Sequence, residues 1–308
     1  MMVEPTKFFF NAETAKDNEF MHDVQEDNEV IAKQAIEEHQ TLRKRIEEAG
    51  VEVVKYIQQE EDLPDSLFPN NWISTHKYPG LIENRVVCVY PMKAPTRQRE
   101  VNYKIVDEFM EASGHCIDMT SYCDKELALE GTGVLIFDAP NKKIYANISQ
   151  RCEKEVLEHF LELFNSKSKE PFRLVTFTAK THSDTAIYHT NVMLSILSDH
   201  AVICLESIQD EEERDKVIEE LTSSELNDFP RKIIDISLEE VGNMCGNIIC
   251  VIDKAEQPCV IMPSTAYYGY TSSNRDELET HYKIVHADVS TIEKIGGGSA
   301  RCMVAEVF

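Results

Sequence analysis

The chain has 308 residues, of which 42% are hydrophobic and 28% charged, an ordinary mixture for a globular protein with a sizeable core. Its net charge of −24 would repel a nucleic acid or an anionic membrane, so we expect neither as a partner. No apolar run could span a bilayer, and the N-terminus lacks the pattern of a signal peptide. Nine cysteines without a CxxC pair, mostly in apolar runs, are typical of buried thiols in a reducing compartment, and we expect a cytoplasmic protein.

The first predicted element is an amphipathic helix that ends near Gly50, with its apolar face on Ile31, Ala35, Leu42, Ile46 and Ala49. The unit strand–strand–helix–strand then recurs about five times, its first copy split across the two chain ends. The predicted strands are VEVVKYI, RVVCVYP, HCIDM, GVLIFD, KIYANIS, RLVTFT, NVMLSIL, AVICLES, KIIDI, NIICVID, CVIMP and KIVHADV. The predicted helices between them are residues 98–113, EVLEHFLELF, DKVIEEL and DELETHY. Closing such modules into a ring would remove exposed sheet edges.

Each copy opens its first predicted strand with a polar residue, and these residues are Asn71, Glu130, His189, Asn247 and Cys302. The intervals between them are 59, 59, 58 and 55 residues. Equivalent positions in a ring of modules face the same central point. The repeat therefore predicts that Cys302, His189 and Glu130 meet. It also predicts that the ending GGGSARCMVAEVF is the closing strand of the ring.

These three residue types are sufficient for nucleophilic catalysis. A thiolate at Cys302 is a strong nucleophile, His189 can move a proton, and Glu130 can hold the imidazole or accept a hydrogen bond from a substrate. The glycines 296–298 either let the backbone approach a ligand or form a plain entry loop. A cysteine, a histidine and a glutamate could also bind zinc. The local motifs CxxC and HExxH are absent, however, so we expect no metal.

Four stretches in order, DSLFPNNW, LEGTGVLIFD, YHTNV and GGGSARCM, resemble motifs of the guanidino-modifying superfamily, the pentein enzymes. That group includes arginine deiminase, dimethylarginine dimethylaminohydrolase and glycine amidinotransferase. FFFNAETA, FPNNWIST and GGGSARCMVAEVF are most similar to the citrulline-utilisation hydrolase branch. The resemblance covers nearly the whole chain. It implies an α/β fold, a five-bladed α/β propeller, in a single catalytic domain over residues 1–308.

The resemblance also implies roles for individual residues. It implies that Cys302 is the nucleophile and His189 the general acid and base, with Glu130 beside it. Six residues are expected to bind the substrate, and one of them, Asn247, is included because of its place in the repeat. They are Asp65, Asn71, Asn191, Arg151, Arg97 and Asn247. Among these, Asp65 would hold the polar end of the substrate and Arg151 its carboxylate. A second family arginine position falls on Gln98, so either flanking Arg97 or Arg99 substitutes for it, or the two form a solvated basic pair.

Two positions depart from the arginine deiminase pattern, because Asn71 and Asn191 stand where that pattern has carboxylates. A guanidinium is a cation with donors only, whereas a neutral ureido group also has an acceptor, which suits an amide. We therefore expect citrulline to be hydrolysed to ornithine, carbon dioxide and ammonia without metal or organic cofactor. The alternatives are an arginine deiminase or amidinotransferase and, outside catalysis, a pentein binding module. The retained catalytic set argues against the last, and the oligomeric state stays open.

Overall fold

Ten α-helices and fourteen short strands alternate along residues 1–308, all of which the computed structural model describes. The helices are α1 (Asn28–Glu48), α2 (Pro95–Gln98), α3 (Tyr103–Phe109), α4 (Gly131–Val134), α5 (Lys154–Asn165), α6 (Glu211–Thr222), α7 (Leu238–Gly242), α8 (Ser264–Gly269), α9 (Ser272–His281) and α10 (Ser290–Gly296). The strands are β1 (Met2–Glu4), β2 (Lys55–Ile57), β3 (Ile73–Tyr78), β4 (Ile82–Val89), β5 (His115–Asp118), β6 (Ile136–Asp138), β7 (Lys143–Asn147), β8 (Arg173–Phe177), β9 (Leu194–Ile196), β10 (His200–Ile203), β11 (Lys232–Asp235), β12 (Ile249–Ile252), β13 (Pro258–Pro263) and β14 (Lys283–Ala287).

The first of two compact units comprises residues 1–69, 192–206 and 233–304. It holds the parallel pair β1–β2 and two three-stranded sheets with the orders β11-β10-β9 and β12-β13-β14. In the last sheet, β12 and β13 form an antiparallel hairpin and β14 returns parallel to β13. Apolar side chains of α1, α10 and this sheet form one buried core.

The second unit comprises residues 70–191, 207–232 and 305–308. Its sheets have the orders β3-β4-β5 and β6-β7-β8. Each sheet is an antiparallel hairpin followed by a helical crossover to a parallel third strand. The predicted strand–strand–helix–strand unit and the α/β class are thus confirmed, whereas a single domain over residues 1–308 stays a prediction.

Helix α1 forms where the apolar spacing predicts it. The Asp27 carboxylate accepts the Glu29 N–H and caps the helix start. The apolar face, which includes Ile31, Ala35 and Leu42, is buried in the core of the first unit. Although α1 has 21 residues, neither it nor any other helix is long and apolar enough to cross a membrane.

The prediction of a single helix over residues 98–113 is wrong. Helix α2 ends at Gln98, and the only helix that begins within the segment is α3, which starts where the Asn102 side chain accepts the Lys104 N–H. Helix α3 ends where Met110 adopts an extended conformation. Gly114 then lies in a turn, where its N–H donates to the Glu111 carbonyl.

The expectation that the chain end is a strand is also wrong. Residues 300–303 form a turn and residues 304–308 have no regular structure. In the second unit, the Thr75 hydroxyl donates to the Glu306 carbonyl and accepts the Phe308 N–H. The Thr75 side chain therefore holds the chain end, where the repeat predicts backbone hydrogen bonds between strands.

Candidate active site

A short tight segment brings Glu130 into the interior of the second unit. The Glu130 N–H donates to the Arg151 carbonyl at 3.0 Å, and helix α4 begins at the next residue. The LEGTGV motif is thus a turn and one helical turn rather than the start of the predicted strand GVLIFD, whose regular part is β6. The Glu130 side chain is completely buried.

Glu130 is a buried carboxylate whose two oxygens are both hydrogen-bonded. Its Oε2 lies 2.7 Å from His189 Nε2 and accepts from Arg151 Nη1 at 3.1 Å, while Oε1 accepts the Lys93 N–H at 3.1 Å. Burial alone would raise the pKa of Glu130. The charge of Arg151, the contact with His189 and the charge of Arg97 outweigh burial and hold this pKa well below its usual range. Glu130 is therefore a carboxylate at neutral pH.

His189 is positioned by its neighbours in chain and space. The Thr190 hydroxyl donates to the Val134 carbonyl at 2.7 Å, and the Tyr188 ring lies 4.5 Å from the imidazole, centroid to centroid. Burial lowers the pKa of His189 and prevails over Glu130, which raises it. A neutral imidazole that donates from Nε2 to Glu130 carries its lone pair on Nδ1. Nδ1 is then the atom that can accept or return a proton.

Arg97 fixes the orientation of the Asn71 amide. Its Nη1 donates to Asn71 Oδ1 at 2.7 Å, and its Nε and Nη2 donate to the Glu100 carboxylate. Asn71 Nδ2 is buried without a hydrogen-bond partner. A methyl group at Gly133 would lie 2.4 Å from this Nδ2 and 3.0 Å from His189 Nδ1, so the two nitrogens border the same small space.

In the first unit, Asn247 contacts Cys302 and the residue before it. Its Nδ2 lies 3.3 Å from Cys302 Sγ, and its Oδ1 accepts the Arg301 N–H at 3.2 Å. An N–H group directed at sulfur stabilises negative charge there. The Cys302 N–H donates to the Ser299 carbonyl, and the Ser299 hydroxyl donates to Glu293. Burial raises the pKa of Glu293 to about 6.

Asp65 lies in the same unit, in the 3-10 turn Pro64–Leu67, and is buried. Its Oδ2 accepts from Asn11 Nδ2 at 2.8 Å and from the Thr14 hydroxyl at 3.1 Å. The segment FFFNAETA thus contacts a predicted substrate-binding carboxylate through Asn11 and Thr14.

The glycines 296–298 end α10 and approach aromatic rings of the same unit. A methyl group at Gly296 or Gly298 would lie within 3.0 Å of the Phe68 ring, and one at Gly297 would lie 2.4 Å from Asn18 Nδ2. These side chains explain why glycine stands at the three positions, and a backbone approach to a ligand stays a prediction.

The predicted residues fall into two groups within the two units. Glu130, His189 and Arg151 are in contact in the second unit, where Asn71 is bonded to Arg97; Cys302 contacts Asn247 in the first. Of the other residues considered for substrate binding, Asn191 is buried and Arg99 is exposed. Sequence reasoning missed Glu100, Gly133 and the Lys93 N–H. The i, i+3 spacing of Arg97 and Glu100 on a helix start was the one available signal.

Solved structures of arginine-modifying enzymes share this fold. The N-terminal domain of ArgZ with bound product, an arginine dihydrolase of the ornithine–ammonia cycle in cyanobacteria, matches with a TM-score of 0.73 at 18% identity over 100% of this chain and 96% of that one. An AgrE variant in complex with L-arginine matches with 0.72 at 16%, over 100% and 40%. A dimethylarginine dimethylaminohydrolase variant, an adduct with S-methyl-L-thiocitrulline, matches with 0.63 at 16%, over 98% of each chain. The chain spans 40% of full-length ArgZ.

These likenesses define the fold class of the molecule as α/β of the pentein type. A sequence search of curated proteins returned no significant match. The family model described as N,N dimethylarginine dimethylhydrolase, eukaryotic, matches residues 4–308. The chain therefore belongs to this family of hydrolytic enzymes. The superfamily resemblance is thereby confirmed, and the nearer likeness to citrulline-utilisation hydrolases stays a prediction.

Proposed function

We propose that the protein is a cysteine-dependent hydrolase of the guanidino group of arginine or a methylated arginine. Family membership and the arginine-type ligands of the similar structures support this substrate class over the citrulline expected from the sequence. The observation that carries the proposal is the buried pair of an ionised Glu130 and a neutral His189 with its Nδ1 lone pair available. Nine free cysteines support the cytoplasm as its location.

In the proposed mechanism, neutral His189 accepts the proton that the Cys302 thiol loses, and the resulting thiolate attacks the guanidino carbon. The imidazolium then returns this proton to the leaving nitrogen as its C–N bond breaks. Water, deprotonated by the same imidazole, then attacks the thiouronium carbon and releases the cysteine. Glu130 stabilises the imidazolium that forms in each step. That Cys302 and His189 act on one substrate rests on the repeat intervals and on the family. A five-bladed propeller over residues 1–308 is part of this proposal.

Hydrolysis of a ureido group is the second candidate, and the orientation of Asn71 favours it. Arg97 already donates to Asn71 Oδ1, whereas the buried Nδ2 donor has no partner and is the group that most needs one from a ligand. A donor suits the oxygen of a ureido group and does not suit a guanidinium, which has donors only. ArgZ is described as an arginine dihydrolase, and hydrolysis of both nitrogens of arginine passes through a ureido stage. Citrulline would then yield ornithine, carbon dioxide and ammonia.

The predicted substrate-binding residues other than Asn71 also have proposed roles. Arg151 contacts Glu130 and lies 5.2 Å from the Tyr188 ring centroid, which supports a role in keeping Glu130 ionised. Binding of the substrate carboxylate by Arg151 stays a prediction, as do substrate contacts of Asp65, Asn191 and Asn247. Arg97 is proposed to act through Asn71.

The proposed hydrolysis is tested by incubating the purified protein with arginine, dimethylarginine or citrulline. The released ammonia, citrulline and ornithine are then measured. Cys302→Ala is the inactive reference, and Cys116→Ala, at an exposed thiol, is the matched control. We expect turnover of a guanidino substrate by the wild type and the control but not by Cys302→Ala. Full turnover by Cys302→Ala would contradict the mechanism, and turnover of citrulline alone would favour the second candidate.

Asn71→Asp separates the two candidates further. A carboxylate at position 71 adds a charge that pairs with a guanidinium and removes the donor that suits a ureido oxygen. We expect the ratio of kcat/KM for arginine to that for citrulline to rise at least about tenfold, about 1.4 kcal/mol. An unchanged ratio would remove Asn71 from the determinants of specificity.

A further inference from the structure

Two histidines and a glutamate come together in the first unit, outside the candidate active site. His200 is the first residue of β10, and Glu277 and His281 lie one turn apart at the end of α9. The i, i+4 spacing places Glu277 and His281 on one face of the helix. None of the three has a part in the proposed hydrolysis.

The side chains converge at distances that suit one small cation. Glu277 Oε1 lies 3.0 Å from His200 Nε2 and 3.4 Å from His281 Nε2. One ligand atom from each residue lies within 4.8 Å of the other two. Tetrahedral coordination with bonds of about 2.0–2.1 Å requires ligand atoms about 3.4 Å apart. The 3.4 Å between Glu277 Oε1 and His281 Nε2 matches that separation.

The buried ligand is held from behind, as metal-binding histidines usually are. His200 Nδ1 lies 2.8 Å from the Tyr282 hydroxyl, which also accepts the Asp199 N–H at 3.1 Å. His200 is 1% exposed, so its ring cannot turn away. Because a hydroxyl both donates and accepts, Tyr282 can accept a hydrogen bond from Nδ1–H while Nε2 offers its lone pair to a metal.

We propose that His200, Glu277 and His281 form a Zn²⁺-binding site. Two imidazoles and one carboxylate are ligands that zinc takes with water in the fourth position, whereas calcium and magnesium prefer oxygen ligands alone. The ligands run from the buried His200 through the half-buried Glu277 to the exposed His281, so the fourth position faces solvent. Zinc would connect the β9–β10 hairpin to α9 within the first unit.

Isothermal titration with ZnCl₂ tests the site, using the Cys302→Ser chain to remove the predicted nucleophile as a competing ligand. We expect His281→Ala and Glu277→Gln each to lose one equivalent of bound Zn²⁺. His182→Ala, which removes another exposed histidine, serves as the control and should bind like the parent. Equal stoichiometry and affinity in the parent and both ligand variants would overturn the proposal.

Tyr282→Phe examines the support behind the site without removing a ligand. Loss of such a partner usually weakens metal affinity about 10–100-fold, and we expect an increase in Kd of that size. Zn²⁺ should also raise the Tm of the Cys302→Ser chain and leave that of its His281→Ala version unchanged. An equal rise in Tm in both chains would place the bound zinc elsewhere and contradict the site.

Discussion

Glu130 shows how single contacts decide the chemistry of a buried group. Without partners, a carboxyl that is completely buried would be neutral. The guanidinium of Arg151, at 3.1 Å, and the His189 ring, at 2.7 Å, keep it ionised instead. His189, for its part, stays neutral because burial prevails over Glu130. The pair therefore combines a fixed anion with an uncharged base, which is the arrangement that proton transfer at Nδ1 requires.

Replacing Glu130 by Gln should abolish most of the activity. The amide cannot stabilise the imidazolium, so we expect kcat to fall about 10²–10⁴-fold with little change in KM. Because Arg151 then has a buried charge without its carboxylate, the free energy of unfolding should fall by about 3–5 kcal/mol. Steady-state kinetics and urea unfolding measure both effects, with the exposed Glu155→Gln as control. Unchanged kcat would remove Glu130 from the catalytic set.

Gly133 is the residue that keeps space beside His189. A methyl group there would lie 2.4 Å from Asn71 Nδ2, so Gly133→Ala should displace the amide or the imidazole. A displacement of about 1 Å costs about 10²-fold in rate, and we expect kcat/KM to fall by that factor. Gly242→Ala is the matched control, since it also adds a methyl group in a short helix but meets no atom within 4 Å. Similar kinetics of the two variants would contradict this prediction.

At the scale of elements, the strand pairs were predictable because each apolar run is short and bounded by polar residues. The polar repeat residues were also found, since their intervals are nearly constant. They precede the strands rather than open them: Asn71 ends a 3-10 turn and Asn247 lies two residues before β12. Helix breaks were harder to predict, because the Asn102 cap depends on one side-chain hydrogen bond. Pairs such as Arg151 with Glu130 could not be predicted, because residue types do not reveal which buried charges meet.

Helix α1 contains a histidine that should make stability depend on pH. His39 is completely buried and neither ring nitrogen has a hydrogen-bond partner. Burial, together with the charges of Arg43 and Lys55, lowers its pKa to about 3. Below the unfolded pKa of about 6.5, the unfolded chain binds a proton that the folded chain does not. Stability therefore falls as the pH falls from about 6.5 towards 3.

His39→Leu should remove this contribution. We expect the slope of the free energy of unfolding against pH, between pH 6 and 4, to decrease by about 1.4 kcal/mol per pH unit. Part of the slope should remain, because burial also lowers the pKa of His76 to about 3. Urea unfolding at a series of pH values measures the slope, with the exposed His182→Leu as control. An unchanged slope would mean that His39 is protonated in the folded chain.

At the scale of the whole molecule, a net charge of −24 disfavours the folded state through repulsion among acidic groups. Raising the ionic strength from 0.01 to 0.15 M shortens the Debye length from about 30 to 8 Å and screens this repulsion. We expect the Tm to rise by about 2–4 °C, which for a chain of this size is about 1 kcal/mol. Thermal unfolding in NaCl, with sucrose at equal osmolality for comparison, measures it. A fall in Tm would mean that ion pairs outweigh the repulsion.

The glycines 296–298 have an evolutionary consequence. Because Gly296 and Gly298 both lie against the Phe68 ring, a side chain at either position competes with a phenylalanine at 68 for the same space. A single substitution in the glycine loop would therefore be lost before a second one could compensate. Among related chains, we expect positions 296, 298 and 68 either to stay unchanged or to change together, with a smaller residue at 68 wherever a glycine has been replaced.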